Sequence, residues 1–357
     1  MSTAGTYEVL SYTNPEQRQK WHAICESFPN IDIYFYPEYA YLFELHGDGK
    51  AHCFVYYHSA DNLVIYPFLK RRINELPIAG DFPREIFDII TPYGYGGYIR
   101  SSDNVDMIQF HNQFLDYCRT NNIVSEFVRF HPLFNNHLYM PQIDTINQWS
   151  ETIVIDLTVD YDTLWNNIGK NCRYEIRKAK KSGVTIIEDI NFDNMDDFYN
   201  LYIETMDRNN ANIYYYFTKT WIIEMVKLLK NKIALFHALY DGQIIASSVF
   251  LFNGMFLNYF LSGSLVEMRL GANNLLLYEV ACWAKRLGFQ YFQLGGGYKI
   301  NDGLFAFKAT FSPLRAPFYT GKIIHDNVSY QILYEKIVRN DRGECPNNQI
   351  FPAYRNL

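Results

Sequence analysis

The tightest constraint on this chain is an order of elements that occurs twice. Residues 51–73 read as two strands around the turn Ser59-Ala60-Asp61-Asn62, and residues 233–252 read as two strands around Asp241-Gly242. The first pair is followed by a helical stretch over 105–120, a stop at Asn121-Asn122 and a strand over 125–130. The second is followed by a helical stretch over 273–287, a stop at Gly288 and a strand over 290–294. A hairpin, a helix and a strand returning beside the hairpin make a mixed sheet flanked by helices, so the pattern predicts an α/β (α+β) protein with two similar domains. The likeness is one of pattern, not of residue identity. A boundary is expected near 148–151, where the polar segment 144–150 precedes a new strand over 152–157.

Composition limits the function classes. The chain has 357 residues, 48% of them apolar, enough for two packed cores. A formal charge of −6 argues against broad nucleic-acid binding and against a DNA partner, but leaves room for a local basic face. Cys25, Cys53, Cys118, Cys172, Cys282 and Cys345 are widely spaced and read as reduced thiols inside a cell. The first residues lack the basic and apolar regions of a leader, and no apolar run reaches bilayer length, so a cytoplasmic protein with no transmembrane segment is expected. His46, His52 and His58 recur at equal spacing, yet no helix or strand period gathers them on one face with a fourth ligand; no metal site and no bound cofactor are expected.

Two segments carry chemistry. Lys170, Arg173, Arg177, Lys180 and Lys181 recur at helical spacing within roughly a third of the circumference, stopped by Gly183 and relieved only by Glu175. Such a stripe is either a solvated face or a face for a phosphate-bearing or RNA partner. Further on, Gly295, Gly296 and Gly297 end the apolar run 289–294 and bring bare backbone near a ligand, or simply turn the chain. Lys308 follows, flanked by Phe305, Phe307 and Phe311. Read as extended, this segment turns Lys308 away from both neighbours. Its aromatic setting would desolvate the ammonium and strengthen its field, unless the side chain only snorkels past the rings.

Four segments, NCRYEIRKAKKSGV (171–184), ETMDRNNANIYYYF (204–217), the stretch 259–297 ending in FQLGGG, and DGLFAFKATFS (302–312), resemble in their order the second domain of FemABX-type aminoacyltransferases and their BioF2-like acetyltransferase relatives of the GNAT superfamily. TPYGYGGY over 91–98 is similar to the glycine-tyrosine motif of that family's first domain. The resemblance covers about residues 90–315. It implies two tandem GNAT-like domains, the first over 1–150 and completed by 320–357, the second over 151–319. The long helical arm of some members has no room between residues 193 and 230.

The resemblance also implies an activity: transfer of an aminoacyl or other acyl group to an amine of a cell-wall (peptidoglycan) precursor, a nucleotide sugar or a related metabolite. Acyl transfer to an amine needs an oxyanion stabiliser and a dry cavity, and no metal. By the resemblance Lys308 is the catalytic lysine, while Asp302 either orients it or forms a turn with Asn301 and Gly303. Arg269, Gly271, Asn273 and Asn274 stand where CoA-dependent members cradle pyrophosphate, joined by Gly295, Gly296 and Gly297 as donor-binding backbone. The glycine spacing departs from that pattern, and Asn273 also reads as the cap of a helix beginning at Leu275. This departure moves the expected donor from acetyl-CoA or another acyl-CoA toward aminoacyl-tRNA, with tRNA as a partner. Arg208, Tyr215 and Tyr216 match positions around the family's acceptor cleft, and Arg suits a diphosphate; Tyr93 and Tyr95, alternating with Gly94 and Gly96, either line a groove shared by the two domains on the acceptor side or form a plain structural turn. The family's first-domain acid has only the distant Asp103 as a counterpart. An N-acetyltransferase and a catalytically silent nucleotide-sugar or RNA binding module are the alternatives.

Overall fold

The computed structural model describes residues 5–140, 145–265, 270–297, 302–340 and 351–355. The chain divides into two compact units, the first made of residues 1–28, 34–149 and 318–357, the second of residues 29–33 and 150–317. The short segment 29–33, which a boundary near 150 assigns to the first domain, packs with the second unit.

In the first unit β1 (Thr6–Ser11) leads through α1 (Pro15–Ser27) and α2 (Pro37–His46) to β2 (Lys50–Tyr57), β3 (Leu63–Arg72), β4 (Phe87–Ile90) and the short β5 (Ile99–Arg100). Then come α3 (Met107–Thr120) and β6 (Ile123–Arg129). Its sheet runs β1-β2-β3-β4-β6 and closes on the late strand β13 (Arg315–Ile324), after which α10 (Asn327–Asn340) follows. All steps are antiparallel except β4 against β6, which is parallel; β5 pairs with β3. Local chemistry sets the helices. Asn14 Oδ1 accepts from the N–H groups of Glu16 and Gln17 at the start of α1, with Pro15 at its first position. Asp106 caps α3 in the same way, and Phe110, Phe114 and Tyr117 of that helix pack on Phe54, Tyr66 and Phe68 of the sheet.

The second unit repeats this plan. It contains β7 (Ile146–Asp156, which begins in the first unit), α4 (Tyr161–Asn167), α5 (Lys170–Lys181), β8 (Thr185–Glu188), α6 (Met195–Arg208), α7 (Lys219–Leu229) and β9 (Ile233–Tyr240). These are followed by β10 (Gln243–Asn253), β11 (Phe256–Ser264), α8 (Ala272–Arg286), β12 (Tyr291–Gly295) and α9 (Gly303–Ala309). The sheet order is β8-β9-β10-β11-β12-β7, with β11 and β12 parallel and every other step antiparallel. Two helices lie between β8 and the β9–β10 hairpin, as α1 and α2 lie between β1 and the β2–β3 hairpin, and one helix joins the parallel pair in each unit. Asp241 (φ 50°) and Gly242 (φ 77°) make the left-handed two-residue turn that matches strand twist. Phe236, Phe250, Phe292 and Leu294 form the core with Leu275, Leu276 and Val280 of α8 and Ile176 of α5. On the other face α6 lies directly on β11, so close that a Cβ at Gly263 would stand 2.3 Å from the carbonyl carbon of Leu201.

The two tandem GNAT-like units expected from the sequence are therefore present, with one correction. The returning strand does not lie beside the hairpin: a third strand, β4 or β11, intervenes and makes the parallel contact. Phe87–Ile90 is too short to show a period of its own. Among the described residues no helix is long and apolar enough to cross a membrane, and no cluster of metal-ligating side chains occurs. The five described cysteines are buried and in no disulfide; Cys345 lies outside the described residues.

Candidate active site

Lys308 sits on a helix, which corrects the extended reading of its segment. The alternation Phe-Ala-Phe-Lys mimics a strand, but Asp302 Oδ1 accepts from the N–H of Phe305 at 2.8 Å and starts α9. No β-branched residue opposes the helix over its seven residues. The carboxylate of Asp302 is thus a helix cap, and it also acts electrostatically on Lys308. The lysine is 8% exposed. Its Nζ donates to the carbonyl of Gly296 at 2.8 Å and lies 5.7 Å from the ring centre of Tyr259. Burial lowers its pKa from 10.5 to about 8, the field of Asp302 opposing the shift.

The backbone that Lys308 grips is at a fork in the sheet. The parallel pair β11 and β12 share only three register positions, ending at Asn258 opposite Gln293. Beyond it β11 continues to Ser264 with β10, while β12 bends at a register irregularity between Gln293 and Gly295 to stay with β7. Gly296 lies close to β7: a Cβ there would stand 3.0 Å from the carbonyl oxygen of Glu151, tighter than an ordinary contact. Gly295 ends β12, and Gly297 is exposed.

The expected donor loop comes to the same end of the unit. Gly271 is the N-cap residue of α8 with φ 70°, and a Cβ on it would stand 2.6 Å from the Glu175 carbonyl oxygen of α5. Asn273 caps nothing, because α8 begins earlier, at Ala272; its Nδ2 donates to Ser264 Oγ at 3.1 Å. Asn274 Nδ2 reaches Cys172 Sγ at 3.2 Å on α5. The N–H of Gly169, just before α5, donates to the carbonyl of Thr310 at 2.7 Å, just after α9. The starts of α5 and α8 and the end of α9 are thus tied together. No side chain among the described residues caps the N-terminus of α8. Arg269 lies outside the described residues, as does Asn301.

Of the expected acceptor residues, Arg208 ends α6, with Nη1 donating to the carbonyl of Ser264 at 2.9 Å and Nη2 to Thr205 Oγ1 at 3.3 Å. Tyr215 lies in the turn after α6, where its carbonyl accepts from Tyr202 Oη, and Tyr216 bonds Asp207, which with burial raises its pKa. Tyr93 and Tyr95 belong to the first unit: the Tyr93 carbonyl accepts from Tyr39 Oη at 2.7 Å, and the Tyr95 ring packs against Tyr34, His131 and Phe318. Asp103, in that unit, is exposed and paired with Arg100.

The basic helix forms as expected, over Lys170–Lys181, but its stripe is less open than Glu175 alone would leave it. Arg173 Nη1 donates to the carbonyl of Asn166 at 3.2 Å, at the end of α4. Arg177 stands 5.1 Å over the Trp165 ring, and Lys180 pairs with Glu279 of α8 at 2.6 Å. Lys170 and Lys181 are exposed.

Sequence reading missed the buried polar residues of the sheet. Asp189 accepts from Asn194 N–H at 2.8 Å and from Asp193 N–H at 3.0 Å, and its Oδ2 lies 3.2 Å from His237 Nε2. Ser247 stands opposite His237 in register. These three residue types are those of a hydrolytic triad, but Ser247 Oγ makes no hydrogen bond, and both serine and histidine are fully buried. Asp189 and His237 form a structural pair that Ser247 does not join. Asn258 and Gln293 are 1% and 3% exposed. For His237, Asn258 and Gln293 the signal was a lone polar residue inside an apolar strand; Asp189 follows β8 and Ser247 adjoins Ser248, so neither gave it.

The comparisons with known proteins fit this geometry. Residues 167–308, from the end of α4 to Lys308, match the acetyltransferase (GNAT) domain family. A search of curated protein sequences found no match. Among solved structures the fold is similar to that of FemX, at 14% identity over 88% of this chain and 98% of that one, with a TM-score of 0.66. It is also similar to L-PGS from Bacillus licheniformis, at 12% identity over 94% and 100% of the two chains and a TM-score of 0.54. A conserved protein of unknown function from Bacteroides thetaiotaomicron VPI-5482 matches at 12% identity over 89% and 99%, with a TM-score of 0.55. Residues 167–308 are thus similar to the acetyltransferase (GNAT) domain family, in a chain whose fold is similar to that of FemX.

Proposed function

We propose that this chain transfers an aminoacyl group from aminoacyl-tRNA to a primary amine, on a cell-wall precursor or related metabolite, with Lys308 as the cation beside the reacting carbonyl. The observation that carries the reading is a buried lysine held on the bare backbone of Gly296 at the fork of the sheet. In the reaction the amine nitrogen attacks the acyl carbon, a C–N bond forms and the C–O bond of the ester breaks. One amine proton ends on the departing hydroxyl. Negative charge gathers on the carbonyl oxygen in the tetrahedral intermediate, and an ammonium in a dry site stabilises it far more than one in water. With a pKa of about 8 the lysine is mostly charged at neutral pH, so the rate falls as pH rises through that value.

A second reading, transfer from an acyl-CoA thioester with a thiol as leaving group, is favoured by the N-terminus of α8. Its free N–H groups suit a pyrophosphate. The test offers the full chain labelled aminoacyl-tRNA and labelled acetyl-CoA as rival donors with pooled amines. Transfer from the charged tRNA, reduced about 100-fold or more by Lys308→Met in a protein with an undiminished melting temperature, is expected. Transfer from acetyl-CoA alone selects the second reading. Transfer from neither leaves a binding module.

A further inference from the structure

Among the described residues, three of the four side-chain polar atoms on the last paired residues of the fork make no hydrogen bond. Asn258 Nδ2 donates to Asp32 Oδ1 at 2.9 Å, which fixes the amide's orientation and turns Oδ1 elsewhere. Among the described residues Asn258 Oδ1, Gln293 Oε1 and Gln293 Nε2 make no hydrogen bond, although both side chains are more than nine-tenths buried. The two residues are register partners on adjacent parallel strands, so their side chains leave the same face of the sheet, the face on which α6 lies on Gly263. An apolar pair would fill this position at lower cost, because a buried amide without a partner forfeits its hydration for nothing. Orphans of this kind call for a missing ligand group. The two strands part here, since their pairing stops at these residues.

We propose that Asn258 and Gln293 are positioning residues that hold the nitrogen of the amine acceptor. A primary amine carries two N–H donors, and the fork offers two open acceptor oxygens, Asn258 Oδ1 and Gln293 Oε1. Holding both N–H groups leaves the nitrogen lone pair as the free direction. The Asp32 carboxylate behind Asn258 strengthens the site for a positively polarised group. Gln293 Nε2 adds one donor, suited to a carbonyl next to the amine, so the preferred acceptor is an amine with a neighbouring amide. The inference rests on the acyl-transfer reading for the word acceptor, but not for the binding itself.

The probe is L-lysinamide, which has two primary amines, an amide and no carboxylate. Its binding to the full chain is followed by ligand-observed NMR, and melting temperatures are recorded for wild type, Gln293→Met and Asn258→Leu. The expected result is a dissociation constant raised at least tenfold in either variant, with melting temperatures equal to or above that of wild type. Gln293→Glu, which keeps both acceptor oxygens and loses only the Nε2 donor, retains binding tighter than that of Gln293→Met and serves if an apolar variant fails to fold. Equal binding by wild type and variants, no binding by wild type, or loss of binding in Gln293→Glu overturns the subsite. Because binding is read without turnover, a chain that holds L-lysinamide through these amides yet transfers nothing overturns the acyltransferase reading alone. A chain that transfers but binds the probe equally in all variants overturns the subsite alone.

Discussion

The two units share one sheet plan and use their buried polar groups in opposite ways. In the first, Asp88 is clasped by Arg71 Nε and Arg355 Nε, both at 2.7 Å, and Glu126 accepts from Tyr66 Oη at 2.7 Å and faces His325 Nε2 at 2.9 Å. Its fork is filled by its own chain: the Thr91 N–H donates to Phe127, Gly96 bridges to Phe130, and Asn136 Nδ2 closes the carbonyls of Gly96 and Tyr98. What stays open there is Tyr98 Oη and a few ring and guanidinium nitrogens. In the second unit the fork is unfilled by any such bridge among the described residues, and the side-chain oxygens of Asn258, Gln293 and Ser247 make no hydrogen bond there; the same unit holds the buried Lys308. One copy of the fold has turned its polar groups inward as structure. The other holds them at a stability cost, which is the mark of a site.

The largest test of this contrast is Asp88→Ala. It leaves two mostly buried guanidinium groups without their carboxylate and is expected to lower stability by about 3–5 kcal/mol, read by urea unfolding. A loss below about 1 kcal/mol would break the claim that the first unit's charges are structural. Next comes Lys308→Met, which should act in the other direction. A lysine whose folded pKa is about 8 instead of 10.5 binds its proton less tightly folded than unfolded. Its stabilising share is therefore present above 10.5, is lost as pH falls through 8, and at neutral pH amounts to a penalty of about 3 kcal/mol. Less about 1 kcal/mol for the lost hydrogen bond to Gly296, the variant should be more stable than wild type at pH 7. The difference should shrink between pH 8 and 10.5. A variant that is less stable at pH 7 would show that the lysine belongs to the structure.

The first unit has a pH response at the acid end. Burial, helped by Lys70, holds His52 at a pKa of about 4, below its usual 6.5. The unfolded chain takes up that proton first, so stability present above 6.5 is lost as pH falls through 4. His52→Phe should flatten this part of the stability profile measured by denaturant titration; an unchanged slope removes His52 as its source. Smaller again is Gln293→Met, expected to gain about 1 kcal/mol by replacing an orphaned amide with an apolar side chain of similar length. A loss of that size would mean that the amide has a structural partner.

How much of this was legible in the sequence follows the reach of each interaction. The hairpins, α3, α5 and α8 were readable because turn residues, caps and apolar periods act within a few positions. The fork was not, since it depends on which strands pair and where pairing stops, and β4 has four residues to announce itself. Lys308 stood out by its phenylalanines, but its conformation was misread because a single cap at Asp302 outweighed a strand-like alternation. Asn258 and Gln293 were visible as polar breaks in apolar strands. That they face each other with nothing to bond required the register.

The stripe on α5 gives the smallest effect and separates two uses of charge. Lys180 reaches Glu279 at 2.6 Å with both side chains partly exposed, and lies 5.2 Å over the Tyr278 ring. Solvent screens such a pair, so Lys180→Ala should cost about 0.5 kcal/mol, an amount that 0.5 M salt largely removes. Lys170 and Lys181 are exposed, and replacing them with Ala should leave stability unchanged within about 0.5 kcal/mol. If the face meets RNA, those two changes lower tRNA affinity and reduce its salt dependence by about one counterion each, while Lys180→Ala does less because its charge already has a partner. If the face is merely solvated, all three leave affinity for tRNA where it was. Measuring affinity against salt for the three variants distinguishes a charge committed to the fold from one kept open for a partner, on a single helix.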